Sequence, residues 1–356
     1  MHHHYHQLRD KLGQHPVGAP KSEEFLEILK LLFEPDEAEV ALHLDFNPKT
    51  AADVSSSAGL NEAEVTAKLE ALADRGAILA KRKDGEAFYS LLPNYPGLFE
   101  YPIMKGLEPK VQKRLAELWH AYYMQDMAAE LASARPPWTR VFPSEEALVQ
   151  DEVEIIPYEQ ASKMMESAGD IALARCPCRV IGKNCDKPLE VCLSFDGAAR
   201  FLAERGMARL IGREEALQVL KQSEEAGLVH TGSNIKDRLV FMCNCCSCCC
   251  HMLMLYTKHG FEEGFARSAY RVDLIEEECS GCGICAEERC PVGAMIMNSE
   301  LAAFETERCI GCGLCVTTCP TGALRLVNRE GYRPPPDSAR DLIRQVVEHK
   351  SKKAQD

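Results

Sequence analysis

The residues most able to do chemistry are two matching runs of cysteine near the C-terminal end. The first reads Cys279-Ser280-Gly281-Cys282-Gly283-Ile284-Cys285 and, four residues on, Cys290-Pro291. The second reads Cys309-Ile310-Gly311-Cys312-Gly313-Leu314-Cys315 and, three residues on, Cys319-Pro320; the copies start 30 residues apart. Thiolates at i, i+3 and i+6 can wrap one face of a four-iron, four-sulfide cube, and the fourth cysteine of each run reaches the other cube. This reading gives two [4Fe–4S] clusters, one held by Cys279, Cys282, Cys285 and Cys319, the other by Cys309, Cys312, Cys315 and Cys290. The intervening glycines let the backbone turn tightly and aim N–H groups at sulfur, and Pro291 and Pro320 fix the backbone just after the crossing ligands. Structural zinc would call for paired Cys-x-x-Cys knuckles, and a disulfide scaffold for a small secreted chain. Neither fits four evenly spaced cysteines repeated in a chain of 356 residues.

On these motifs, residues 271–327 resemble the bacterial-type dicluster ferredoxins. The resemblance covers about one sixth of the chain. It implies two antiparallel hairpins, two short helices and one-electron transfer. The departure from the family is the four-residue gap before Cys290, where three are usual; it brings in Glu287 and Glu288, charges able to shift the nearer cluster's potential.

The chain has 18 cysteines in all. Of the ten outside the repeat, Cys176, Cys178, Cys185 and Cys192 form one burst and Cys243, Cys245, Cys246, Cys248, Cys249 and Cys250 another. Each burst is expected where an apolar strand ends, Ile171–Arg175 before Cys176 and Leu239–Met242 before Cys243. If the strands neighbour one another in a sheet, both bursts meet at one edge. An additional Fe–S cluster is the simplest reading, with Cys176, Cys178, Cys185 and Cys192 able to supply four ligands alone. Adjacent cysteines such as Cys248 and Cys249 do not easily address one iron, so the second burst would combine ligation with packing or thiol redox chemistry. Zinc, disulfide exchange and buried packing remain alternatives. Arg179 and His251 flank the bursts as possible donors to sulfur, or as ordinary ion-pair residues.

The elements that must position these residues give an α+β multidomain chain. Residues 21–92 read as helices followed by a hairpin. A helix opens at Ser22, a second starts at Pro35, a third covers Thr50–Ser57, and a fourth runs from an Asn61 N-cap to Arg75 and stops at Gly76. Strands at Ile78–Arg82 and Ala87–Leu92 flank Asp84-Gly85, a hairpin signal. This order resembles a winged helix-turn-helix. Residues 93–150 form a Pro-rich linker with a long helix over 109–133. Residues 151–270 alternate helix and strand as a Cys-rich α/β domain, 271–327 are the ferredoxin-like domain, and 328–356 hold a Pro334–Pro336 hinge and an amphipathic tail helix. The His-rich start (His2, His3, His4, His6) reads as a disordered tail.

The formal net charge of −13 argues against a broad phosphate-binding surface. Ser22–Leu92 carries 15 acidic and 7 basic residues, and the helix a winged domain would present to DNA, Asn61–Arg75, nets −2. DNA binding is therefore the weaker reading. The longest apolar run, near Cys245–Tyr256, falls short of the roughly 20 residues a membrane span needs, and nothing reads as a secretory signal. The expectation is a cytoplasmic electron-transfer protein. No dinucleotide or phosphate-binding glycine motif is present, so its partner oxidoreductase, a flavoprotein or dehydrogenase, would be another chain. The competing reading is an enzyme whose middle cluster binds substrate.

Overall fold

A computed structural model describes residues 2–148 and 153–353. The 150/151 boundary expected from the sequence lies outside the described residues. The chain divides into two compact units.

The first unit comprises residues 1–131, 174–183 and 197–210. Its start corrects the expectation of a disordered tail: His2–Leu12 is a helix. Tyr5, Leu8 and Leu12 recur at helical spacing and are buried, and the Tyr5 hydroxyl donates to the Phe33 carbonyl at 2.9 Å. The histidine-rich composition masks that apolar stripe. The Glu23–Leu32 helix is capped by Ser22, whose hydroxyl accepts from the Phe25 N–H, and it buries Phe25, Ile28 and Leu29. Helices Pro35–Ala41, Ala51–Ala58 and Glu62–Asp74 follow. Asn61 caps the last one, and Gly76 beyond its end has a positive φ. Strands Ile78–Lys83 and Glu86–Leu91 pair around Asp84-Gly85, both left-handed, with Lys49–Thr50 as a third strand. The core is aromatic. Phe25 stacks on Tyr122 at 4.9 Å, and Phe99 meets the fully buried Trp119 edge-on at 5.3 Å. The long helix expected over 109–133 forms, but Tyr123–Met127 widens to a π turn between Pro109–Tyr122 and Ala128–Ala132.

The second unit comprises residues 132–173, 184–196 and 211–356. In its main sheet Thr139–Phe142, Val229–Ser233, Phe241–Cys245 and Glu190–Phe195 lie side by side, each pair antiparallel. The Ile171–Arg175 strand borders Glu190–Phe195. Two smaller antiparallel pairs complete the unit, Tyr270–Leu274 with Leu324–Asn328 and Met295–Asn298 with Leu301–Phe304. Four expectations need correction. The segment 157–167 is only a 3₁₀ turn and a five-residue helix. The strand expected to end before Cys243 starts at Phe241 and runs through Cys245. It is separated from Ile171–Arg175 by the Glu190–Phe195 strand, so the two are not neighbours. The Pro334–Pro336 segment is pinned: the Lys236 N–H donates to the Pro336 carbonyl at 3.0 Å. Beyond it the Ala339–Lys353 helix buries Leu342 and Val346 against Ala134 and Ile235.

A buried ion pair ties this unit together. Arg140 and Glu159, 1% and 0% exposed, meet at 2.8 Å. Glu159 also accepts from the Tyr332 hydroxyl at 2.7 Å and the Ala269 N–H at 3.3 Å. The Arg140 guanidinium lies 3.9 Å over the Phe142 ring. Desolvation pushes Arg140 down and Glu159 up from their ordinary pKa ranges. Removing one partner strands the other charge. Glu159→Ala is therefore expected to lower unfolding free energy by about 3–5 kcal/mol, whereas Lys163→Ala at the exposed Lys163–Glu166 pair should leave it nearly unchanged. The shift in denaturant midpoint measures both.

Candidate iron-sulfur centres

The C-terminal cysteines gather into two groups. Cys279, Cys282, Cys285 and Cys319 line one small cavity of about 20 Å³ with Leu274, Ile284 and Leu324. Cys290, Cys309, Cys312 and Cys315 line a second, also of about 20 Å³, with Val272, Val292 and Ile310. Each group takes three cysteines from one copy of the repeat and the fourth from the other.

Local backbone geometry builds these cavities. Gly281, Gly283, Gly311 and Gly313 all have φ between 68° and 77°. At two of them a side chain has no room. A Cβ on Gly281 would sit 2.0 Å from the Glu300 carbonyl oxygen, and one on Gly311 would sit 2.1 Å from that of Tyr270. The extra residue before Cys290 is absorbed as a wide turn, Cys285–Arg289, in which the Cys290 N–H reaches back five residues to the Cys285 carbonyl at 3.0 Å. Such π turns accommodate one-residue insertions. The two short helices that the resemblance implies are thus one wide helical turn here and a non-helical turn at residues 314–318. Glu287 and Glu288 face solvent. Arg289 points inward and donates to the carbonyls of Leu314, Glu224 and Glu225 at 3.2, 2.7 and 3.1 Å. A cation there also suits the C-terminal end of the Arg213–Glu225 helix.

Backbone N–H groups already point at sulfur. Ala294 and Met295 donate to Cys290 Sγ at 3.1 and 3.4 Å, and Val272 to Cys309 Sγ at 3.5 Å. Arg329 donates to the Cys309 carbonyl at 2.8 Å. The two groups differ in exposure: Cys309, Cys312 and Cys315 are buried and Cys290 partly so, whereas Cys282 is exposed, Cys279 and Cys319 are partly so and Cys285 is buried. Burial pushes the Cys312 thiol up to about 12 and that of Cys315 well above its usual value. Cys319 moves the other way; burial raises it, but Thr321 and the backbone N–H groups beyond it outweigh that. Buried sulfurs so close together become thiolates only with a cation among them, which a cluster's irons supply.

The middle cysteines separate by the sheet's geometry. Cys243 and Cys245 are two apart on one strand and share a face. Asn244 faces the other way, where its side chain meets His230 Nδ1 at 2.5 Å and donates to the Val191 carbonyl at 2.7 Å. The Leu193↔Met242 register, carried one step on, sets Cys192 against Cys243. Cys250 approaches Cys245 at 3.0 Å. Hydrogen bonding with Cys192 and burial push Cys243 well up; bonding with Cys243 and Cys250 does the same to Cys245. Past the strand, the tight turn 246–250 gathers Cys246, Cys248 and Cys249 with Cys185, all four sulfurs lying within 4.8 Å of one another. The expectation that adjacent Cys248 and Cys249 diverge is corrected: their sulfurs are 3.8 Å apart. Cys185 and Cys192, read as members of one four-cysteine set, fall in different thiol groups. Cys176 and Cys178 belong to the first unit, where Cys176 caps the Pro177–Gly182 helix and Arg179 is buried beside them. His251 is buried at the start of the His251–Thr257 helix. The Cys-Asn-Cys alternation was the available sign that the strand continues; nothing in the sequence signalled the return of Cys185.

Part of the second burst shares an apolar core with the C-terminal cysteines. Cys245, Cys250, Leu253 and Tyr256 pack in the same cluster as Cys285, Cys309, Cys312 and Cys315. A more polar cavity lined by Cys248, Lys258, Pro291, Val292 and Arg308 lies beside it, and Pro291 and Val292 also line the second cysteine cavity.

Gly311→Ala is expected to cost the anaerobically purified protein about four irons. Gly322→Ala, at the same backbone hand but with nothing within 4 Å, should keep them; iron and acid-labile sulfide analysis reads the difference. Residues 302–325, which contain the second copy of the repeat, match the family described as the 4Fe-4S binding domain. Neither the comparison with curated proteins nor that with solved structures returned a match. With this domain and its thiol groups, the chain is an iron–sulfur protein.

Proposed function

We propose that the chain is a multi-cluster electron-transfer protein carrying two [4Fe–4S] clusters in a dicluster ferredoxin-like region, 271–327. The observation that carries this reading is the interleaved cysteine lining of the two cavities. In the proposal Cys279, Cys282, Cys285 and Cys319 hold the first cluster and Cys309, Cys312, Cys315 and Cys290 the second. A bound cluster of this kind supplies one-electron redox chemistry. The chain's own residues exclude water from the second site, aim N–H groups at Cys290 and Cys309, and leave the edge at Cys282 open. That edge is where a partner oxidoreductase, a flavoprotein or dehydrogenase, would exchange electrons. The middle cysteines supply a further metal–thiolate centre.

Residues 21–92 of the first unit, read as a winged helix-like domain, serve docking in this proposal. Its Glu62–Asp74 helix is acidic, and two of the acids are occupied within the unit: Arg205 pairs with Glu70 at 2.8 Å and Asp74 at 2.6 Å. Among the described residues no helix is long and apolar enough to cross a membrane.

Anaerobically purified protein should hold at least about eight irons with matching sulfide, and Cys290→Ala or Cys319→Ala should each remove about four. Reduction should give the paramagnetic resonance of two interacting centres. Four irons or fewer, with stoichiometric zinc, would overturn the reading. Duplex DNA should show no sequence-selective shift at physiological salt; a tight shift that tracks redox state would reassign the first unit.

A further inference from the structure

Cys185, Cys246, Cys248 and Cys249 come from two stretches of chain, the loop after Lys183 and the turn that ends the Phe241–Cys245 strand. All four sulfurs lie within 4.8 Å of one another. The Cys185 sulfur is 3.9 Å from that of Cys246 and 4.0 Å from that of Cys249, and Cys248 and Cys249 are 3.8 Å apart.

These separations discriminate between metal centres. A metal–sulfur bond of about 2.3 Å in a regular tetrahedron sets its sulfurs about 3.8 Å apart. A [4Fe–4S] cube binds each thiolate through a different corner iron, which holds the four ligand sulfurs much farther from one another. Tetrahedral coordination by four sulfurs is the signature of zinc or of iron. We infer that Cys185, Cys246, Cys248 and Cys249 form a mononuclear tetrathiolate site for one zinc or iron ion, distinct from any cluster. The inference deepens the reading of the middle cysteines as metal ligands and rests on it.

The surroundings fit such a site. A dication held by four thiolates carries an excess negative charge, and Lys258 and Arg308 line the cavity that Cys248 borders. The two ligand-bearing stretches are already tied, since the Asn184 side chain donates to the Cys248 carbonyl at 2.8 Å. The Cys250 N–H closes the turn on the Cys246 carbonyl at 3.1 Å. An ion here would staple the loop to the turn. The turn leads into the His251–Thr257 helix, whose Tyr256 hydroxyl donates to the Arg308 carbonyl at 3.4 Å. The staple would thereby hold the wall beside the second C-terminal cavity.

The test is elemental analysis, with acid-labile sulfide, of the full chain purified anaerobically, comparing the unsubstituted protein with Cys185→Ser and Cys249→Ser. The expected result is the loss of about one metal equivalent in each variant, with sulfide unchanged. Whether zinc or iron is lost names the ion. X-ray absorption on the unsubstituted chain keeps the test open if a variant fails to fold: if the ion is zinc, the zinc edge should show four sulfurs at about 2.3 Å and no iron neighbour. Loss of about four irons with their sulfides would overturn the single-ion site and leave a middle cluster standing. Loss of no metal would overturn both. In every case the irons assigned to Cys279–Cys319 should remain, so these failures are separable from failure of the dicluster reading.

Discussion

The second unit depends on one constraint: many sulfurs crowd into a core from which water is excluded. A lone buried cysteine is an unremarkable small hydrophobe. Here Cys312 is pushed up to about 12 by burial, Cys243 is raised by bonding with Cys192 and by burial, and Cys245 by bonding with Cys243 and Cys250. Such a core is stable as neutral thiols or as thiolates around cations. As thiolates alone it would repel itself apart. Metal binding would favour the folded thiolate form of such a core, and the glycine-rich turns, the inward N–H groups and the apolar linings are arranged around its sulfurs.

The surrounding scaffold fixes where that core can be. Glu159 binds Arg140 on a sheet strand, Tyr332 near the end of the chain and the backbone of Ala269 at the approach to the Tyr270–Leu274 strand. Three distant stretches therefore share one buried carboxylate. Arg289 does comparable work with carbonyls, joining the wide turn before Cys290 to the end of the Arg213–Glu225 helix. Charges placed this deep favour a single arrangement over many, because a shifted strand would leave one of them without its partner.

Much of this was legible in the sequence wherever local rules decide the outcome. The Asn61 cap, the Gly76 stop, the Asp84-Gly85 turn and the Ile171–Arg175 strand all follow from residue type and spacing. So does the sorting of the C-terminal cysteines into two interleaved groups, because the repeat encodes it. The His2–Leu12 helix was hidden by composition, although its Tyr5–Leu8–Leu12 spacing was in plain view. Other features depend on long-range pairing that no local pattern records. The insertion of Glu190–Phe195 between two cysteine-bearing strands and the return of Cys185 to the 246–250 turn are set by sheet order. The extra residue before Cys290 was visible, but its accommodation as a π turn became clear only from the backbone.

The unequal exposure of the two C-terminal cavities has a consequence for life in air. Cys282 stands at the surface and Cys279 and Cys319 are half open, while Cys309, Cys312 and Cys315 are enclosed. Dioxygen and peroxide meet the first site directly at Cys282, and meet the second only at the partly buried Cys290. Under the proposed ligand sets the first cluster offers the exposed Cys282, whereas the most open ligand of the second is the partly buried Cys290. With two such clusters bound, oxidative damage would start at the more open site.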